Sequence, residues 1–352
     1  MRKYSDLRHE QTRQIIDGEQ VFSAFQSAQA ELHSRYAGSM SWKTINEASY
    51  LYRKVKDANH SLGVRSVETE NTYRAFHEGR HRLRERVGKL KSRLDEMAPV
   101  NKALGIGRIP SISARVLRRI GSAGLMGRAI DVVGTSALFA YERLCGVQIE
   151  SGLLATGDVD LLFDSRSSLK LLSSDVRSGG LLGLLRKVDT SFAPLGRKSF
   201  RAANDDGFMI DLIQPMPRDR FATGGRARIG SSGDLEAIEI EGLSWLVNSP
   251  KHETIVFDER GYPLRISVPD PRAFTIHKAW LASRDDREAI KRKRDAAQAR
   301  LVAELVTKHL PHLTFGGQDL SALPLAMRQA VNDVLPVQDG VTDDAGPIEP
   351  DW

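Results

Sequence analysis

Between residues 10 and 96 apolar positions recur three and four apart, as with Ile15, Val21, Phe22, Phe25 and Ala28, and no proline interrupts them. That period lines one face of a helix, so the region is expected to be helical. The pattern changes after Gly105-Ile106-Gly107-Arg108-Ile109-Pro110. From about 129 to 215, short apolar runs alternate with helical spacing. Strands are expected near 130–133, 159–163, 191–203 and 207–213, with helices at 135–146 and 167–187. Pro215 and Pro217 end the last strand, because proline cannot continue a central ladder.

Farther on, a Gly- and Arg-rich loop spans 218–233, and short strands or a strand and a helical turn are expected at 238–246 and 254–257. A turn at Asp258-Glu259-Arg260-Gly261 leads into a strand at 264–268. Asp270 followed by Pro271 supplies a capping acid and a first-turn proline, marking the start of a helix that carries Phe274, His277, Lys278 and Trp280. Further helices are expected at 286–310 and 324–335, and the acidic tail 338–352 reads as disordered. These patterns divide the chain into a helical extension (1–100), an α/β-like core (101–220), a mostly helical C-terminal domain (221–337) and the tail, an α+β protein as a whole.

Composition narrows the picture. The 352 residues, 41% of them hydrophobic, suffice for two or three compact units. A single cysteine, Cys145, excludes an internal disulfide framework and argues against a Cys-rich zinc site. The charged start of the chain has no signal-peptide core, and no run approaches the ~20 apolar residues of a membrane span, so a cytoplasmic protein without a membrane partner is expected. The net charge of +6 permits an anionic partner. The cations from Arg80 to Arg93 form either a solvated helix face or a polynucleotide or acidic-partner surface.

Candidate chemistry starts at Gly157-Asp158-Val159-Asp160-Leu161-Leu162-Phe163-Asp164. Two carboxylates two residues apart at the head of a buried strand share a face, and they repel unless a cation lies between them. Val132-Val133-Gly134-Thr135-Ser136 reads as a strand end, a tight turn and a helix start that can hold phosphate. A third carboxylate, Asp211, is embedded in Met209-Ile210-Asp211-Leu212-Ile213. Together these suggest metal-assisted nucleotidyl transfer. The other reading of Asp211 is a core acid paired with an arginine. His277 has no second histidine three or four residues on and is expected to pack rather than bind metal.

The combination of Val133-Gly134-Thr135-Ser136, Asp158-Val159-Asp160 and Asp211 resembles the polymerase-β-like nucleotidyltransferase superfamily. More narrowly, residues 99–310 resemble a bacterial family of that fold, through VVGTSALFAYE, ATGDVDLLFD and KRKRDAAQA among other blocks. Two departures stand out: Thr135 occupies the place of a second small Gly or Ser, and the interval from Gly134 to Asp158 is about twice the usual one, implying an enlarged loop at 146–157. The resemblance implies a mixed sheet with a helical N-terminal extension and a helical C-terminal domain. It also implies transfer of a nucleoside monophosphate from an NTP such as ATP to a hydroxyl on RNA, protein or a small molecule, with pyrophosphate released.

On this reading Asp158, Asp160 and Asp211 are catalytic and hold two Mg2+ ions, with Mn2+ as a substitute, since hard oxygen ligands suit such cations. Gly134, Thr135 and Ser136 bind the triphosphate, and Lys278 neutralises the leaving pyrophosphate. Lys291-Arg292-Lys293-Arg294 contacts nucleotide or polynucleotide. The competing readings are a catalytically silent nucleotide- or nucleic-acid-binding module, with a toxin-like role compatible with either, and a helical scaffold with an incidental α/β insert. Acceptor, base preference and oligomeric state are not encoded legibly.

Overall fold

The computed structural model describes residues 3–56, 58–166, 174–197, 199–217, 227–231, 233–316 and 324–335. The expected disordered tail, residues 218–226 and 232 of the Gly- and Arg-rich loop, and residues 167–173 of the expected helix lie outside them. The chain divides into two compact units. One comprises Arg8–Ser111 with Phe257–Leu264, and the other comprises the remaining described segments.

Strand β1 (Tyr4–Asp6) precedes the first unit, in which α1 (His9–Arg35) and α2 (Val67–Ala103) pack as a pair. Helix α2 starts at a reciprocal cap: Ser66 Oγ accepts from Thr69 N at 3.3 Å, and Thr69 Oγ1 accepts from Ser66 N at 2.8 Å. Between the helices the expectation of an all-helical region is corrected by an antiparallel sheet of β2 (Ser39–Ile45), β3 (Ala48–Val55) and β4 (Ala58–Val64). Met40 and Leu51 are buried with Phe76 of α2, which gives the sheet a dry face. Asn46 and Glu47, with φ of 46° and 65°, make the two-residue turn that the twist of a hairpin requires. Helical spacing missed this segment because β2 and β3 each bury a single residue and the turn between them contains no glycine.

The second unit is an α+β structure. In chain order it contains α3 (Ser111–Ser122), β5 (Ile130–Val133), the 3-10 turn Gly134–Ala137, α4 (Leu138–Cys145), β6 (Val147–Ile149), α5 (Ser151–Leu154) and β7 (Asp158–Phe163). Then come α6 (Ser174–Arg186), β8 (Ala193–Pro194), β9 (Arg201–Ala203), β10 (Met209–Pro215), β11 (Ile238–Ile240) and α7 (Leu243–Asn248). The hairpin strands β12 (Lys251–Phe257) and β13 (Pro263–Pro269), then α8 (Pro271–Ser283), α9 (Ala289–His309) and α10 (Leu325–Asn332), complete the described elements.

The main sheet has the order β5-β7-β10-β9-β8, with β11 alongside β10. Strand β10 runs parallel to β7 and β11 and antiparallel to β9, and β5 is antiparallel to β7. The sheet's buried side chains Val133, Leu162 and Ile213 pack on Leu243, Leu246 and Val247 of α7 and on Ala273 of α8. A second core joins Ile276 and Ala279 of α8, Ala299 of α9, and Met327 and Val331 of α10. The start of α8 follows the sequence signal: Asp270 Oδ1 accepts from Arg272 N at 2.7 Å, with Pro271 in the first turn. The enlarged loop at 146–157 is ordered. Its strand β6 pairs with β1, Tyr4 opposite Ile149, and its helix α5 precedes β7. Among the described residues no helix is long and apolar enough to cross a membrane.

Candidate active site

Strand register brings the acidic positions together. In β7 the burial pattern alternates at Asp158, Val159, Asp160 and Leu161, so the two aspartates leave the strand on one face while Val159 is buried on the other. Asp211 of β10 lies directly opposite Asp160 in the parallel ladder, Val133 of β5 is opposite Asp160 on its other side, and Arg201 of β9 is opposite Asp211. Directly paired residues point the same way, so Asp160, Asp211 and Arg201 form a polar rung across three adjacent strands, beginning beside the residue that precedes Gly134.

Gly134 turns the chain out of β5 with φ +61°, and a Cβ there would collide with Asp160 Oδ2. Only glycine meets both conditions without strain. The turn thereby exposes backbone directly against the carboxylate. Thr135 and Ser136 follow, both buried. Ser136 does not act as a helix cap: neither the 3-10 turn nor α4 has a side-chain cap at its N-terminus. Thr135 Oγ1 accepts from Gln298 Nε2 of α9 at 3.2 Å, and the same nitrogen donates to the Leu153 carbonyl at 3.1 Å. Gln298 is fully buried, and its Oε1 has no partner among the described residues.

The electrostatics follow from this crowding. Burial first, then the charges of Asp158 and Asp211, push the Asp160 carboxyl up to about 6, against the opposing influence of Lys278 and Arg201. Thr156 Oγ1 donates to Asp158 Oδ1. Asp211 is buried and takes both its hydrogen bonds from Arg201, Nε to Oδ1 at 2.6 Å and Nη2 to Oδ2 at 2.5 Å. These bonds also raise the guanidinium's pKa. The arginine partner considered for Asp211 from the sequence is therefore present, on the same face as the aspartate pair.

Lys278 is buried rather than solvent-facing. Its Nζ donates to Asp295 Oδ1 at 2.7 Å, while Arg287 Nε donates to Asp295 Oδ2 at 2.6 Å. The Lys278 charge is felt at Asp160, but its hydrogen bond is to Asp295. Beside it, burial and then Lys278 and Arg287 hold His277 down to about 3, so that it stays neutral. In Lys291-Arg292-Lys293-Arg294, Lys291 pairs with Glu288 at 2.9 Å and Arg292 with Asp285 at 3.5 Å, while Arg294 donates to the Ala155 carbonyl. It is Asp295 and Gln298, next along α9, that turn inward.

Among the described residues no three His, Cys, Asp or Glu side chains are arranged to hold a metal ion, with Asp211 engaged by Arg201. The donor set nevertheless suits a hard divalent cation: two carboxylates on one face, one of them with its pKa raised by burial and then by like charge, beside the half-buried glycine turn.

The nucleotidyltransferase family model matches residues 111–324, more than half of the chain and the whole of this site. The chain belongs to the nucleotidyltransferase family. Membership makes it an enzyme of the nucleotidyltransferase type, with an NTP as the implied substrate. Among solved structures, an antigenic nucleotidyltransferase-like protein from Paracoccidioides brasiliensis is similar at 13% identity and a TM-score of 0.33, over 64% of this chain and 88% of that one. No curated protein matches the sequence. Within the family match, Arg201 is the site residue that the sequence did not mark, and Gln298 stood out only as part of the KRKRDAAQA block, without its contact to Thr135. Arg201 gains meaning only from the register of β9 against β10, and Gln298 only from a helix-to-turn contact 163 residues apart.

Proposed function

We propose that this nucleotidyltransferase moves a nucleoside monophosphate from an NTP to an acceptor hydroxyl in a cation-dependent reaction that releases pyrophosphate, as polymerase-β-like enzymes do. The observation that carries this reading is the register of Asp160 opposite Asp211 on the face shared with Asp158, beside the turn at Gly134. Asp158 and Asp160, with Asp211, are the ligands proposed for Mg2+ or Mn2+. Divalent ions bound there supply positive charge to the triphosphate and acidify the acceptor hydroxyl.

The remaining work falls to the chain's own groups. Gly134 lets a phosphate approach the backbone, and the Thr135 and Ser136 hydroxyls donate to its oxygens. Gln298 donates to Thr135 Oγ1, which leaves the Thr135 proton free to point at the substrate. Asp211 accepts the acceptor's proton once Arg201 releases it, and the freed guanidinium is a ready fork for phosphate oxygens. Lys278, steadied by Asp295, adds positive charge near Asp160 against the departing pyrophosphate.

A second reading is favoured by one observation, the doubly bonded Arg201–Asp211 pair. If that pair is permanent, the protein binds nucleotide without transferring it. Incubation with each α-labelled NTP, Mg2+ or Mn2+, and total cellular RNA or protein separates the two. Label in a macromolecular or small-molecule product with pyrophosphate release supports transfer. Saturable NTP binding without pyrophosphate release across the panel overturns it in favour of the silent reading.

A further inference from the structure

The unit of Arg8–Ser111 carries a surface that the transfer site does not use. One face of its three-stranded sheet is packed on α2 through Met40, Leu51 and Phe76. Alternation therefore turns Lys43, Tyr50, Tyr52 and Lys54 to the opposite face. Register sets Lys43 opposite Tyr50, and Lys43 Nζ lies 4.9 Å from the Tyr52 ring centroid. Tyr50 and Tyr52 stand two residues apart on the central strand, roughly 7 Å along it, each presenting a ring beside a lysine.

The same unit concentrates the chain's positive charge. Between Arg74 and Arg93, eight cations face two acids, an excess of six that equals the net charge of the whole protein, so the rest of the chain is balanced. Arg82, Arg86, Lys89 and Arg93 follow at intervals of four, three and four, which places them on one stripe of α2, and all four are exposed. Arg86 and Lys89 have no ion-pair partner among the described residues, and the pairs of Arg82 with Glu78 at 3.9 Å and of Arg93 with Glu96 at 3.0 Å are open to solvent. The stripe starts six residues beyond Phe76, about 9 Å along the helix axis from where the sheet packs.

Aromatic faces beside lysines, in a unit that also carries a stripe of exposed cations, are complementary to a strand whose bases are unpaired and whose phosphates are regularly spaced. We propose that this unit binds single-stranded polynucleotide, with bases stacked on Tyr50 and Tyr52 and phosphates held by Lys43, Lys54 and the Arg82–Arg86–Lys89–Arg93 stripe. None of these residues belongs to the carboxylate site. The inference goes beyond the transfer reaction and stands without it.

Fluorescence anisotropy of the full-length protein with labelled 20-nucleotide RNA and DNA strands, a matched duplex and anionic vesicles tests it. Single strands bind more tightly than duplex or vesicles, and affinity falls as salt rises. The double variant Tyr50→Ala/Tyr52→Ala binds at least about tenfold more weakly with the salt slope kept, because stacking is lost and charge is not. Arg86→Glu/Lys89→Glu binds more weakly with a slope shallower by about 1.4 or more. Photocross-linking of wild-type protein to thiouridine-containing RNA yields peptides containing Tyr50 or Tyr52, which keeps the test decisive if the tyrosine variant does not fold. Asp160→Asn retains binding whatever its transfer activity, so failure here and failure of the transfer reading are told apart. Absence of single-strand binding, equal affinity for duplex or vesicles, unchanged affinity in both folded double variants, or cross-links confined to other peptides overturns the proposal.

Discussion

Arg201 holds both carboxylate oxygens of Asp211 from the neighbouring strand, at 2.6 and 2.5 Å. Asp211 is the buried member of that pair, and the guanidinium is about a third exposed. Arg201→Gln therefore has two opposite effects. Without added cation it leaves a buried carboxylate short of donors and costs roughly 1–3 kcal/mol of stability, read by urea denaturation in EDTA. With Mn2+ present, the freed Asp211 tightens cation binding in calorimetric titration. Equal cation affinity in wild type and variant would show that Asp211 is not a ligand.

Gly134→Ala is expected to be among the most damaging single-methyl changes. A left-handed alanine costs roughly 1–2 kcal/mol, and its Cβ would also displace the Asp160 carboxylate. Denaturation should show at least that loss. NTP titration of the folded fraction should show weaker binding, because both the turn and the aspartate have moved. A variant with unaltered NTP affinity would remove the turn from the site.

Gln298→Leu tests whether the α9 amide orients Thr135. Its Nε2 bonds to Thr135 Oγ1 and to the Leu153 carbonyl are lost, while the apolar bulk of the side chain is retained. NTP affinity is expected to fall by up to roughly tenfold, the worth of one oriented hydrogen bond, with a near-wild-type circular dichroism spectrum. An unchanged KM for NTP would reduce Gln298 to a structural tie.

His277 makes stability pH-dependent in a defined direction. Its folded pKa is held down to about 3, below the ordinary histidine value of 6.5, so the unfolded chain binds the extra proton between those limits. Stability is therefore complete above about 6.5 and drains away as pH falls toward 3, by up to about 1.4 kcal/mol per pH unit. Comparing chemical denaturation of wild type and His277→Met at pH 6 and pH 5 isolates this contribution. The variant should lose less on acidification, and parallel losses would refute the assignment.

What could be read from the chain depended on how local the signal was. Asp158 and Asp160 announce themselves because alternation along one strand fixes their common face, and Asp211 because a lone acid among Met209, Ile210, Leu212 and Ile213 must have a partner. Which partner was open, since Arg201 becomes its neighbour only through the β9–β10 register. Lys278 was legible as a cation near the site but not as a buried group tied to Asp295. The sheet at 39–64 is not legible because β2 and β3 each bury a single residue, Met40 and Leu51, and its first turn uses Asn46-Glu47 in place of an obvious glycine.

The order of strands in the main sheet bears on how the protein comes into being. Asp160 and Asp211 become neighbours only when β10 is laid against β7, across fifty intervening residues, and Arg201 arrives on a strand that precedes β10 but pairs on its far side. A nascent polypeptide on the ribosome thus holds no assembled carboxylate rung until the segment through Pro215 has left the exit tunnel and docked. On the proposed role of these carboxylates, transfer begins only after that docking, so activity arrives with assembly of the sheet rather than building up gradually during translation.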